Sequence, residues 1–79
     1  MRLDKYLKVS RLIKRRTVAN EACDNGLVSV NDRAARASYD VKVGDRITLR
    51  LGARTVTVEV LSVQESVRSA DAAAMYRQV

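Results

Sequence analysis

The hydrophobic period of this chain changes once, at Asn25-Gly26, and that change limits what it can fold into. Before it, apolar residues recur at helical spacing. Leu3, Tyr6 and Leu7 stand at i, i+3 and i+4, and Val18, Ala19, Ala22 and Cys23 line one face of a second helix. After it, apolar residues alternate with polar ones, first at Val28 and Val30, then at Ile47, Leu49 and Leu51. Helices first and strands afterwards make an α+β chain, with the helices packed on one side of a small sheet.

The first helix is expected over Arg2 to Val9, with Asp4 in its first turn, at the positive end of the dipole and one turn from a partner in Lys8; orienting Arg2 or Lys5 for a polyanion explains Asp4 about as well. The apolar phase slips between Val9 and Leu12, so residues 10–16 read as a tight connection. Thr17 is the predicted N-cap of the second helix, and Gly26 its left-handed C-cap. Asn31-Asp32 is a turn, although Asn-Gly is the better two-residue hairpin pair. Arg33 to Ala37 reads as a weak strand or an extended loop, Val43-Gly44-Asp45 as a turn, 46–51 as a strand and Gly52-Ala53 as a turn. From Thr55 to Val63 the inward set passes from Val56, Val58 and Val60 to Leu61 and Val63, which predicts a bulge near Val60 and Leu61. A short helix over 70–77 follows, with Ser69 as its cap and Asp71 in its first turn. The expected whole is one α+β domain over residues 1–79: two N-terminal helices packed on a small, mostly antiparallel sheet, and a short C-terminal helix.

Charge is distributed just as unevenly. The first sixteen residues hold seven bases (Arg2, Lys5, Lys8, Arg11, Lys14, Arg15 and Arg16) and one acid, Asp4. This equals the net charge of +6 of the whole chain, so residues 17–79 are neutral as a set. Leucines are interleaved with these bases, so the stretch is a helix with one buried and one basic face, not a disordered tail. A polyanion is the natural partner for such a concentration of charge. Arg15 and Arg16 precede the expected start of the second helix, where free N–H groups also favour a phosphate. A merely solvated basic face is the plainer alternative.

Other classes fit poorly. With no His and a single Cys, neither a zinc site nor a thiol–imidazole pair is available, and there is no glycine-rich phosphate loop. Asp32, Asp40 and Asp45 are accounted for by turns. No enzyme activity and no cofactor are expected. No apolar run approaches the ~20 residues that span a bilayer, and the lack of Trp and Phe weighs against a peripheral membrane helix. The three tyrosines are too few for a base-stacking platform; Tyr6 suits the core, and Cys23 a small buried position. A lone cysteine fits a reducing cytoplasm.

The ordered set Arg2-Leu3-Asp4-Lys5-Tyr6-Leu7, Arg11-Leu12, Arg15-Arg16-Thr17-x-Ala19, Gly26-x-Val28-x-Val30-Asn31 and Val43-Gly44-Asp45-x-Ile47 resembles the RNA-binding domain named after small-subunit ribosomal protein S-four. The resemblance covers residues 2 to about 51 and departs at Asp32, where a glycine is common. It implies that the helix pair and the following hairpin form an RNA-binding face. The residues assigned to that face are Arg2, Lys5, Lys8, Arg11, Lys14, Arg15, Arg16 and Thr17, with Asn31, Arg33 and Arg36 around the turn. Asn31 fits a turn position of positive φ equally well, and Arg33 and Arg36 fit charge balance with Asp32 and Asp40.

The length and the ending Ala72-Ala73-Ala74-Met75-Tyr76 resemble a small stand-alone bacterial branch of the family that serves ribosome-associated quality control. That branch implies large-subunit ribosomal RNA and peptidyl-tRNA on an obstructed large subunit as partners, together with RqcH, which adds C-terminal alanine tails. A heat-shock branch, longer and with a basic C-terminal extension, implies instead a general factor that recycles nascent-chain-blocked large subunits. Either implies a cytoplasmic, ribosome-associated protein, monomeric when free and without a membrane partner.

Overall fold

The computed structural model describes residues 1–64 and 69–79, the side chains of 69–71 excepted. Helix α1 spans Leu3–Val9 and α2 spans Arg16–Asp24. Strands β1 (Val28–Val30), β2 (Arg33–Ala34), β3 (Arg46–Leu51), β4 (Arg54–Val60) and β5 (Tyr76–Gln78) form one antiparallel sheet in the order β2-β1-β3-β4-β5.

The helices lie where the spacing puts them, and their ends explain why. Gly26 has φ of +72°, its N–H donates to the Cys23 carbonyl, and the Leu27 N–H reaches Ala22. This paired closure satisfies two carbonyls of the last turn of α2, and the left-handed residue it needs is the glycine. Past α1, Arg11 takes the corresponding left-handed position at φ +65°, with its N–H on Lys8, although it carries a side chain. The start of α2 differs from expectation. Arg15 is the N-cap and no side chain caps the helix, so Thr17 stands inside the first turn. The first turn of α1 is instead tied to a distant loop: the Leu3 N–H donates to Tyr39 and the Asp4 N–H to Ala37, at 2.8 and 3.2 Å.

Leu3, Tyr6 and Leu7 of α1 and Ala19 and Cys23 of α2 are buried against Val28, Val30, Ile47, Leu49, Val58 and Val60. Each fully buried side chain of this size contributes roughly 1.5–3 kcal/mol relative to exposure. Three expected core members, Val18, Leu51 and Leu61, are not in it. Val18 is 47% exposed, because the buried stripe of α2 runs along Ala19 and Cys23. Leu51 is 41% exposed, because it sits at the Gly52-Ala53 end of the β3–β4 hairpin, beyond the reach of the helices. Cys23 is a small core residue as expected, and burial pushes its thiol up to about 11.

The C-terminal part departs most. Strand β4 ends at Val60 and does not continue to Val63. The Leu61 and Ser62 N–H groups both donate to the single carbonyl of Met75, so two residues face one as at a bulge, but Leu61 is 45% exposed and not inward as expected, while Val63 packs against the core. The expected helix over 70–77 is a 3-10 helix, Ser69–Met75, and Tyr76 leaves it to begin β5. The cap role of Ser69 and the place of Asp71 lie outside the described side chains. Tyr6 reaches across to this region, its hydroxyl donating to the Met75 carbonyl at 2.7 Å. Burial pushes the Tyr6 hydroxyl far above its ordinary pKa, so it stays a donor.

Strand β2 is only two residues long, shorter than the 33–37 stretch allowed. The β1–β2 hairpin closes with Asn31 and Asp32 at φ +52° and +67°, both left-handed, as its two-residue turn requires. A side chain at the second position is strained, so Asp32→Gly is expected to stabilise the fold by about 0.5–1 kcal/mol, roughly 4 °C in melting temperature. An unchanged or lower melting temperature would show that the Asp32 side chain compensates its backbone.

Candidate nucleic-acid interface

The fold sorts the basic residues into three groups, each organised by a different local device.

The first group is built on Asp4. This carboxylate is 2% exposed, and four groups donate to it. Arg2 contributes Nε at 3.2 Å and a terminal nitrogen at 3.4 Å, the Lys5 backbone N–H lies at 2.8 Å, and Asn20 Nδ2 at 3.3 Å. Arg16 closes the set with Nε at 3.3 Å. The expected Asp4–Lys8 pair is replaced, because Asp4 turns toward α2 and Lys8 toward solvent. Burial by itself would raise the Asp4 carboxyl; the hydrogen bonds from Asn20, Arg2, Arg16 and Lys5 outweigh it and hold the pKa below the usual value. Arg2 and Arg16 remain about half exposed, at 51% and 47%. Two cations that would repel are thus held side by side with their outer edges in solvent, ready for an anion's oxygens. Thr17 and Glu21 line the same recess with Asp4, Arg16 and Asn20.

The second group lies at the other end of α1, about 9 Å along its axis from Arg2 to Lys8. Lys8, Arg11 and Lys14 surround the half-buried Val9 in a cleft of about 390 Å³. The left-handed turn at Arg11 brings the chain round so that Lys14 faces Lys8. Arg15, exposed, follows at the N-cap of α2, and Lys5 is half buried on α1.

The third group surrounds the β1–β2 turn. Asn31, Arg33 and Arg36 share a cleft of about 660 Å³ with Ser38 and Tyr39. The Asn31 side chain is committed within the protein: its Nδ2 donates to Asp45 at 3.2 Å and its Oδ1 accepts from the Arg46 N–H at 3.0 Å. Asp45 also accepts from the Tyr39 hydroxyl and the Lys42 N–H, both at 3.0 Å. The hydrogen bond to Asp45 raises the Tyr39 pKa, with burial adding to it.

Sequence reasoning named the cations and missed their organisers, Asn20, Tyr39 and Asp45. Asn20 had a signal: it stands four residues after Arg16, on the same face of α2. Asp45 stood in the motif Val43-Gly44-Asp45-x-Ile47 but with no sign of its partners, and Tyr39 had no signal, since these partners are set by tertiary contacts. Among the described residues no group of His, Cys, Asp and Glu could hold a metal, and no helix is long and apolar enough to cross a membrane.

This geometry can be set beside known proteins. The S4 domain matches residues 1–47. The RQC P-site tRNA stabilizing factor of Bacillus subtilis is 54% identical over 76 residues, covering 96% of this chain and 88% of that protein. That of Halalkalibacterium halodurans is 53% identical over 76 residues, covering 96% and 86%. A trimeric structure of heat shock protein 15 from Vibrio cholerae superposes with a TM-score of 0.93 at 34% identity, covering 100% of this chain and 81% of that one. With the domain matched over more than half of its length and relatives above half identity over nearly all of it, the chain belongs to the S4 domain family, in the group of the RQC P-site tRNA stabilizing factors.

Proposed function

We propose that this chain is a non-catalytic RNA-binding protein of the large ribosomal subunit. It binds ribosomal RNA and peptidyl-tRNA on subunits obstructed by a nascent chain, and it supports RqcH-dependent alanine tailing there. The observation that carries the reading is the near full-length identity to P-site tRNA stabilizing factors. The geometry supports it: Arg2 and Arg16 are pre-set on Asp4, and the Lys8–Arg11–Lys14 cleft follows on the same helix pair. Rigid cations of this kind contact the phosphates of structured RNA, and the shape of the RNA supplies discrimination. The working form is a cytoplasmic monomer when free, with no membrane partner.

Co-sedimentation with large subunits that carry peptidyl-tRNA, compared with vacant ones, tests this. The chain is expected on the obstructed subunits and to be depleted from vacant ones. Equal recovery would remove the peptidyl-tRNA part, and recovery with neither would remove the reading. The superposition on heat shock protein 15 favours a second reading, a general factor for blocked large subunits. Alanine tails separate the two: deleting the gene in a cell that has RqcH abolishes them under the first and leaves them under the second.

A further inference from the structure

The third basic group has a property the other two lack: it surrounds a cleft of nucleotide size with an aromatic ring in its wall. We propose that this cleft, between the β1–β2 hairpin and residues 35–39, receives one unpaired nucleotide of a bound RNA. The proposal rests on the RNA-binding reading and extends it from phosphate contact to recognition of an unstacked base.

The cleft is pre-formed. Its volume of about 660 Å³ falls within the range of small-molecule sites. Asn31 and Tyr39 both line it, and both side chains donate to the same carboxylate, Asp45, which stands outside the lining. These two lining side chains are thereby held in place before anything binds, which lowers the entropic cost of binding. The loop behind Tyr39 is strapped to α1 through the Leu3 and Asp4 N–H groups, so the cleft is rigidly joined to the Arg2–Asp4–Arg16 group.

The lining has the chemistry of a nucleotide site. Val30, Ala34 and Ala35 supply apolar surface, and the half-buried Tyr39 supplies a ring for stacking. Ser38 can donate to or accept from a base edge. Arg33 and Arg36 are exposed, and neither forms an ion pair among the described residues, so both are available to a phosphate or to the face of a base. A base within a duplex presents only its groove edges, whereas a bulged or loop nucleotide can be splayed out into a cleft.

The test compares two short RNA duplexes, one fully paired and one with a single bulged 2-aminopurine. The bulged duplex is expected to bind about tenfold more tightly, with a change in 2-aminopurine fluorescence and amide shifts over residues 30–39. Ser38→Phe, placed on the exposed lining, is expected to bring the ratio to one through loss of affinity for the bulged duplex. Arg36→Ala, which leaves the cleft open, should reduce the ratio. Equal affinity of the wild type for the two duplexes overturns the proposal, as does a ratio that survives Ser38→Phe in a protein that still binds the paired RNA. Should Ser38→Phe not fold, the wild-type shifts decide, and their absence from 30–39 overturns the proposal. Binding of neither duplex removes the RNA-binding reading itself, an outcome distinct from loss of the cleft alone.

Discussion

Asp4→Ala is expected to lower the melting temperature at neutral pH by about 10–20 °C, the largest stability effect of any polar substitution in this chain. The carboxylate is 2% exposed and accepts from Arg2, Arg16, Asn20 and the Lys5 N–H. Charge-assisted hydrogen bonds of this kind contribute about 1.5–3 kcal/mol each in favourable cases, but Arg2 and Arg16 are half exposed and recover water when Asp4 is lost. A net cost of about 2–3 kcal/mol follows, and each kcal/mol moves a domain of this size by roughly 4–8 °C. The arginines left behind also repel each other. Asp4→Asn should cost less, because an amide oxygen still accepts from the Lys5 N–H.

The pH dependence has a definite sign. The folded pKa of Asp4 is held below its unfolded value of about 3.9, so its contribution is fully present above that pH and is lost as pH falls through the folded pKa. Asp40, beside the Met1 ammonium, and Glu59, beside Arg77, are shifted in the same direction, so some acid lability persists without Asp4. Melting curves from pH 7 to pH 2 should therefore show a shallower acid loss in Asp4→Asn than in the wild type. Superimposable curves, or equal melting temperatures at pH 7, would mean that the Asp4 network contributes nothing to stability.

What could be read along the chain and what could not differ by the range of the forces involved. The period change at Gly26 placed both helices and the first strands, because the left-handed closure of α2 and the alternation of Val28 and Val30 are local. Hydrogen bonding to a partner decided the C-terminus. An alanine run favours helix, but the free edge of β4 was open to Tyr76–Gln78, and pairing there confined the helix to a 3-10 segment ending at Met75. Asp4 shows the same limit within the site. Spacing on one helix offers Lys8 as its partner, while the packing of α1 on α2 delivers Arg16 and Asn20. The seven clustered bases were legible because charge density is a property of the sequence. Their division between the Asp4 network and the Arg11 turn was not, nor was the Asp45 network behind Arg33 and Arg36, since all three depend on tertiary contacts.

That division governs how binding should respond to substitution. Arg16→Ala and Arg2→Ala are each expected to weaken binding to large subunits roughly ten- to a hundredfold, the loss of one charge-assisted phosphate contact. Each also removes one donating side chain from Asp4, so a drop of a few degrees in melting temperature should accompany the binding loss without unfolding. Arg50→Ala removes the same charge from the face of β3 turned away from the helices, and should bind within about twofold of the wild type. Salt supplies a second axis. If six or more phosphates are neutralised, wild-type affinity should fall by about 10³–10⁵ between 50 and 200 mM salt, and each lost contact should reduce the logarithmic slope by about one. Because Arg2 and Arg16 share Asp4, the double variant should lose less than the product of the two single losses, the first substitution having already released the second arginine from its fixed position. Equal losses in Arg2→Ala, Arg16→Ala and Arg50→Ala would reduce the face to bulk charge. A flat salt response would remove phosphate contact as the source of affinity, and strict additivity would show that Arg2 and Arg16 grip the RNA independently of the carboxylate between them.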